Sequence, residues 1–329
     1  MAPTSRTAVV TGANKGIGYA IVRHLALNYP KSALSNNGTL PLLIYLTARD
    51  RGRGEAAVKS LEDDKDLQKA KVLSQDGGLS TVKYHGLDIS KEESIRDIAD
   101  FLKKEHPDGI DVVINNAGVA LDGFGMLASY SSTGLVLIPL LIETDTDSNI
   151  VKQTLQSNYH GTLLSTQLLT PLLRAGGRLV NVASIAGVLN SKYSASIRKQ
   201  FLGSRTVADV TSLMDSYTAS VEKETHTQDG WPASAAYSVS KSGVIGFTRV
   251  LAAEEKAKNP DKGVLVNACC PGYVVTDMTK GRGAKTVDEG AQTPVMLALA
   301  DIGGTAGEFW QNEKIVDWQA GTDRYGNAA

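Results

Sequence analysis

The sequence predicts an α/β protein: a single doubly wound parallel sheet flanked by helices. Three observations carry that prediction. Short continuous apolar runs recur along the chain, helical patterns alternate with them, and a glycine-rich turn follows the first run. Such alternation suits a parallel sheet whose crossovers are helices.

Thr7–Thr11 (TAVVT) is the first run, bounded by Gly12. Leu42–Thr47, Val82–Leu87, Asp111–Asn115, Arg178–Ser184 and Val264–Cys270 read the same way. Such runs suit strands covered on both faces, as in a parallel sheet. Helical patterns fall at about 17–27, 54–61, 91–105, 149–173, 234–256 and 287–300. Ser90–Glu93 and Thr286–Glu289 have the spacing of a capping box, in which a hydroxyl and a carboxylate satisfy free N–H groups at a helix start. Three stretches break the metre. Residues 28–41 are rich in Ser, Asn, Gly and Pro, 119–148 are long and mixed, and 190–231 look helical without a strand. They are read as insertions in one domain spanning 1–329.

Of the 329 residues, 42% are hydrophobic and 21% charged, which excludes disorder as the main state. Thirty-four basic against 35 acidic residues leave a net charge of −1, so no global attraction to nucleic acid or anionic lipid is expected. Two adjacent cysteines, Cys269 and Cys270, exclude a disulfide scaffold or a four-cysteine zinc site and read as core residues. The five histidines are scattered, and no metal site is expected. The start lacks the pattern of a secretory signal, and the longest apolar run, Leu135–Ile142, is too short to span a bilayer. A cytosolic protein is expected.

The glycine turn is the first chemical signal. Gly12, Gly16 and Gly18 give G-x-x-x-G-x-G between a strand and a helix. Glycine lets the backbone turn sharply and approach a pyrophosphate, and the helix start offers free N–H groups. No Gly-Lys-Ser/Thr follows, which argues against a nucleotide hydrolase. The second strand ends at Arg49, with Arg51 and Arg53 following and Lys15 in the glycine turn. Cations there favour the 2′-phosphate of NADP, with Asp50 as a rival acid that would favour NAD. Tyr237 and Lys241 stand four apart in a helical pattern and so share a face. A phenol is a poor acid–base near neutrality, and a neighbouring ammonium favours its phenolate. Ser184, at a strand end, can hydrogen-bond a carbonyl oxygen.

With these motifs in order, the chain resembles the short-chain dehydrogenase/reductase family along nearly its whole length. Thr11–Gly18, Leu87–Ile89, Asn115–Gly118, Asn158–Gly161, Ser184, Tyr237–Lys241 and Pro271–Gly272 carry the resemblance. Within the family, Ala13–Gly18, Leu46–Asp50, Gly230–Ser234 and Asn267–Gly272 are similar to the monomeric NADPH-dependent carbonyl reductases. The resemblance implies a Rossmann-type fold and an enzyme reducing a small aldehyde, ketone or quinone with NADPH. It implies Tyr237 as proton donor, Lys241 as the residue lowering the Tyr pKa and holding the nicotinamide ribose, Ser184 as orienting donor, and Asn158 as holder of a relay water. Cofactor contacts are implied at Gly12, Asn14, Lys15, Gly16, Ile17, Gly18, Arg49, Arg53, Asp88, Asn115, Ala117, Gly118, Tyr237, Lys241, Pro271, Gly272, Val274 and Thr276.

Bland readings stand beside these. Asp88 is either an adenine contact or a turn cap, and Asn158 either a relay residue or a polar residue on a helix face. Trp231, Trp310 and Trp318 either line a pocket or fill a core. Two other functions fit the same residues: the reverse reaction with NAD(P)+, and a non-catalytic nucleotide sensor, which would tolerate loss of the Tyr237–Lys241 pair. Ser184 and Tyr237 are 53 positions apart, much farther than is usual in the family, because residues 190–231 intervene. That segment carries Ile197, Phe201, Val207, Val210, Leu213, Met214 and Tyr217 at partly helical spacing. It is expected to cover the helix face through which many family members associate, leaving a monomer.

Overall fold

In a computed structural model, residues 5–121, 125–131, 134–140, 147–233 and 235–319 are described, with the side chains of 125–131 and 134–140 left aside. The first half runs β1 (Arg6–Val10), α1 (Gly16–Asn28), β2 (Leu42–Ala48), α2 (Arg51–Glu62), α3 (Lys65–Ala70), β3 (Ser80–Gly86), α4 (Glu92–Glu105) and β4 (Ile110–Asn115). A hairpin of β5 (Gly125–Ser131) and β6 (Gly134–Leu140) follows, then α5 (Ser148–Leu155), α6 (Thr162–Leu169) and β7 (Leu173–Val182). The rest is α7 (Ala195–Gly203), α8 (Val207–Glu222), α9 (Ala236–Lys258), β8 (Leu265–Cys270), α10 (Val287–Leu299), β9 (Phe309–Gln311) and β10 (Lys314–Ile315).

The main sheet has the order β10-β9-β8-β7-β4-β1-β2-β3, parallel throughout except for β10. Alternate residues of each apolar run enter different cores, as the period of two requires. Ala8 and Val10 join the core under α1 and α10, while Val9 joins the one under α4 and α6. Likewise Cys269 faces one side and Ala268 and Cys270 the other. The chain leaves β1 for β2 and β3, then crosses back to β4 on the other flank of β1. A crevice outside the carboxyl ends of β1 and β4 is where such sheets bind ligands.

Several local expectations are corrected. Ser90 does not cap α4: its hydroxyl donates to Asp88 Oδ1 at 2.7 Å, a charged acceptor close by, and Lys91 takes the cap position. The Thr286–Glu289 box is present, and a second, Thr206–Asp209, opens α8 with Asp in place of the longer acid. The helix expected over 149–173 contains a π turn at Gln156–Gly161. The loop 28–41 is not wholly a surface excursion, since Tyr29 is buried and its hydroxyl donates to Leu40 O at 2.9 Å. The 119–148 stretch holds the β5–β6 hairpin; its residues 122–124, 132–133 and 141–146 lie outside the described residues, as does Ser234. Trp231, Trp310 and Trp318 are all buried, Trp231 among Tyr193, Phe201 and Tyr217, so they fill cores. Among the described residues, no helix is long and apolar enough to cross a membrane, and no group of three His, Cys, Asp or Glu is placed to hold a metal ion.

The 190–231 segment forms α7 and α8 and packs on the helices beneath it. Val210, Leu213, Met214 and Tyr217 share a core with Val151, Leu155 and Tyr159 and with Val244 and Phe247 of α9. Contact is close: a Cβ on Gly243 would sit 2.6 Å from the Tyr159 ring and 2.8 Å from Met214 Sδ.

Candidate active site

The glycine turn is held from below by the end of β4. Thr11 Oγ1 accepts from the N–H groups of Asn116 and Ala117 at 2.9 and 3.0 Å, and Asn116 Nδ2 donates to Thr11 O and Gly12 O at 3.0 and 3.2 Å. Gly12 has φ +63, and a Cβ there would stand 2.8 Å from Ala117 Cα. A Cβ on Gly18 would collide with the Gly12 carbonyl and with Asn116 Nδ2. Only glycine fits, and the helix start opens to the crevice with its N–H groups unsatisfied by any side chain of Lys15. Asn14 and Ile17 flank this turn half-buried. The loop Pro271–Thr276 lies over it, with Thr276 Cγ2 3.7 Å from where a Gly16 Cβ would be, and buried Val274 packs against Gly290 of α10.

At the end of β2, Asp50 caps α2 by accepting from Arg53 N at 2.8 Å, and Arg51 pairs with Glu55 at 2.8 Å. The rival acid is therefore engaged with its own helix, and Arg49 and Arg53 are exposed. Lys15 Nζ bonds Asp277 Oδ2 at 2.6 Å, both well exposed. Asp88 is half-buried. Burial raises its carboxyl, but the Ser90 hydroxyl and N–H, with Lys91 and Arg49 adding charge, hold it below the usual range. Its Oδ1 is thus a turn cap. Asn115 is buried, and its side chain is engaged by Ser165, Thr166 and Asn181 at 2.8–3.1 Å, leaving only its main chain for the crevice.

The catalytic candidates lie at the end of β7 and in the first turns of α9. Ser184 follows β7 and accepts from Ala186 N at 3.2 Å, which orients its hydroxyl at the strand end. Tyr237 and Lys241 lie in the first turns of α9, both buried, with Nζ 5.7 Å from the phenol ring centroid. Lys241 Nζ donates to Val182 O at 2.9 Å. Burial lowers Lys241 to about 8, partly offset by Cys270 and Cys269, whose own thiols burial pushes up. The cysteines are core groups. A Cβ on Gly118 would stand 3.1 Å from Asn158 Oδ1 and 3.5 Å from Lys241 Nζ, so the glycine keeps open the space before both.

Asn158 sits fully buried in the π turn. Its Oδ1 accepts from Val119 N and its Nδ2 donates to Val119 O, both at 2.8 Å, and Nδ2 also reaches Ser240 Oγ at 3.1 Å. Ser240 Oγ in turn donates to Tyr237 O at 2.7 Å. The side chain is thus a clamp between the β4 loop and the Tyr237 helix. Sequence reasoning missed Ser240, Asn116 and Thr11. All three lie inside the quoted motifs, but their use is seen only once β1, β4 and the start of α9 are packed together.

The profile of the short chain dehydrogenase family matches residues 43–201 and 224–286. A rat protein named carbonyl reductase [NADPH] 3 is 36% identical over 97% of this chain and 100% of its own length. A human protein named carbonyl reductase [NADPH] 1 is 36% identical over 94% and 98%. Among solved structures, salutaridine reductase from Papaver somniferum superposes with a TM-score of 0.71 at 28% identity, covering 93% of this chain and 99% of that one.

Proposed function

We propose that this chain, which belongs to the short-chain dehydrogenase family, is an NADPH-dependent carbonyl reductase that turns aldehydes, ketones or quinones into alcohols. The observation that carries the reading is Lys241 Nζ, 5.7 Å from the Tyr237 ring centroid and bonded to the carbonyl of Val182, two residues before Ser184, beside space that Gly118 keeps open.

The residues fit the cofactor. Gly12, Gly16 and Gly18 admit a pyrophosphate to the start of α1, Arg49 and Arg53 stand free for a 2′-phosphate, and Gly118 leaves room before Lys241. Asn14, Lys15, Ile17, Asp88, Ala117, Pro271, Gly272, Val274 and Thr276 border the same crevice, and Asn115 serves through its main chain. When bound, NADPH supplies the hydride. The chain's own residues handle the proton. Tyr237 Oη donates it to the carbonyl oxygen as negative charge grows there, and Ser184 Oγ donates a hydrogen bond to the same atom. Lys241, still an ammonium at neutral pH, lies close enough to the ring to favour the phenolate left behind. Asn158 and Ser240 hold the Tyr237 turn in place.

The chain acts as one domain and as a monomer, because α8 covers the faces of α5 and α9, and it works in the cytosol on a small carbonyl substrate. The test is a panel of aldehydes, ketones and quinones with NADPH and with NADH, followed by loss of the reduced cofactor. Turnover with NADPH is expected. Folded protein that reduces none of them overturns the reading.

A further inference from the structure

A second cavity lies away from this crevice. It has a volume of about 690 Å3, within the range of small-molecule sites, and is walled by the end of α7, the far half of α9, the edges of β7 and β8 and the loop before β9. Arg249 is twelve residues beyond Tyr237 on the same helix, about 18 Å along its axis at 1.5 Å per residue.

Four cations line it: Arg178, Arg205, Arg249 and Lys256, against two acids, Glu255 and Glu308. Glu255 already accepts from Asn259 at 3.1 Å. None of the three guanidinium groups in this wall is held in an ion pair. Among the described residues, Arg6, Arg23, Arg51, Arg96 and Arg174 are held in ion pairs, while Arg178, Arg205 and Arg249 have none. Arg178 Nε is buried with no hydrogen-bond partner, although a buried guanidinium normally has one. Burial pushes Arg178 down, and Asp301 offsets this only in part. Arg249 lies over the buried Trp318 ring at 5.2 Å, which limits its freedom. Leu202 and Val250 add apolar wall. Arg49 and Arg53, assigned above to a phosphate, are likewise without ion pairs, as are Arg198 and Arg282, so it is the shared cavity that sets these three apart.

We propose that this cavity binds a small oligoanion, a molecule bearing two or more phosphate or carboxylate groups, through Arg178, Arg205 and Arg249. A guanidinium pairs with either group through parallel N–H donors, and the free Arg178 Nε is one such donor. The site is separate from the catalytic one and does not depend on the reaction proposed there.

Calorimetric titration of the full chain with pyrophosphate and with citrate, with and without saturating NADPH, tests it. Binding of at least one anion is expected at millimolar concentration or below, unchanged by NADPH; the preferred anion tells phosphate from carboxylate chemistry. Arg178→Met is expected to weaken it about tenfold or more, the scale of a lost charge-assisted bond. The double variant R205A/R249A, altered only at exposed positions, is expected to do the same and guards against a folding defect in the sheet. No binding by the unaltered chain, binding abolished by NADPH, or undiminished binding by R205A/R249A overturns the proposal.

Discussion

Replacing Lys241 by methionine separates what this residue does for the reaction from what it costs the fold. The ammonium is almost wholly buried, with the carbonyl of Val182 as its hydrogen-bond acceptor at 2.9 Å. Burial moves it from 10.5 to about 8, which at about 1.4 kcal/mol per pH unit is about 3 kcal/mol against the charged form in the folded protein. Methionine removes that cost but leaves Val182 O without its donor, a loss of about 1–3 kcal/mol. The two nearly cancel at neutral pH, so K241M is expected to be about as stable as the unaltered chain. The pH dependence is the sharper signature. Between about 8 and 10.5 the unfolded chain keeps the Lys241 proton while the folded protein has released it. The unfolded state then binds more protons, so this group's contribution to stability rises with pH through that window. Integrated from about pH 7 to about pH 9.5, the gain is about 2 kcal/mol, and K241M lacks it. Urea unfolding of both proteins across that range, without cofactor, measures the difference, and turnover of K241M should be nearly abolished. Stability curves that stay parallel from neutral to alkaline pH would refute the reasoning, because Lys241 would then not be desolvated.

Tyr237→Phe keeps the ring and removes the proton donor; turnover is expected to fall at least about 100-fold with NADPH affinity largely retained, as seen by steady-state kinetics and fluorescence titration. Near-normal turnover would remove Tyr237 from the mechanism. Arg49→Ala is expected to weaken NADPH binding roughly 10- to 150-fold while leaving NADH binding little changed. Equal weakening of both would mean that Arg49 does not read the 2′-phosphate. Light scattering during size exclusion is expected to give one subunit of 34.9 kDa at micromolar concentration. Deleting residues 190–231 should expose the α5 and α9 faces and cause association, whereas a stable dimer of the intact chain would contradict the covering role.

Much of the site was legible because its signals are local. The glycine turn needs only neighbours along the chain to be read, since Gly12 and Gly16 mark a backbone that bends at positive φ. Tyr237 and Lys241 share a helix face because four residues make about one turn. The apolar runs marked the strands, and Ala8, Val9 and Val10 divide between two cores, whereas the run at 82–87 forms the edge strand β3 with Lys83 exposed. The strands β9 and β10 had no comparable signal: three and two residues long, they are strands only because β8 offers an edge to β9 and β9 in turn offers one to β10.

The sequence by itself determined the fold class, since the alternation of apolar runs and helical patterns is local, and the order of its motifs carried the family resemblance that singled out Ser184, Tyr237 and Lys241 as candidates. Only the tertiary structure decided what the polar side chains between them do. Ser90 met Asp88 and left α4 uncapped, Asn115 turned into the sheet, and Asn158 closed on Val119 and Ser240. Each has donors and acceptors that several partners could satisfy, and a buried polar group takes the partner that packing brings within reach. The unpaired guanidinium of Arg178 follows the same rule: it lies on a strand that reads as core, and only the assembly of β7, α7 and α9 around it sets its charge facing a cavity.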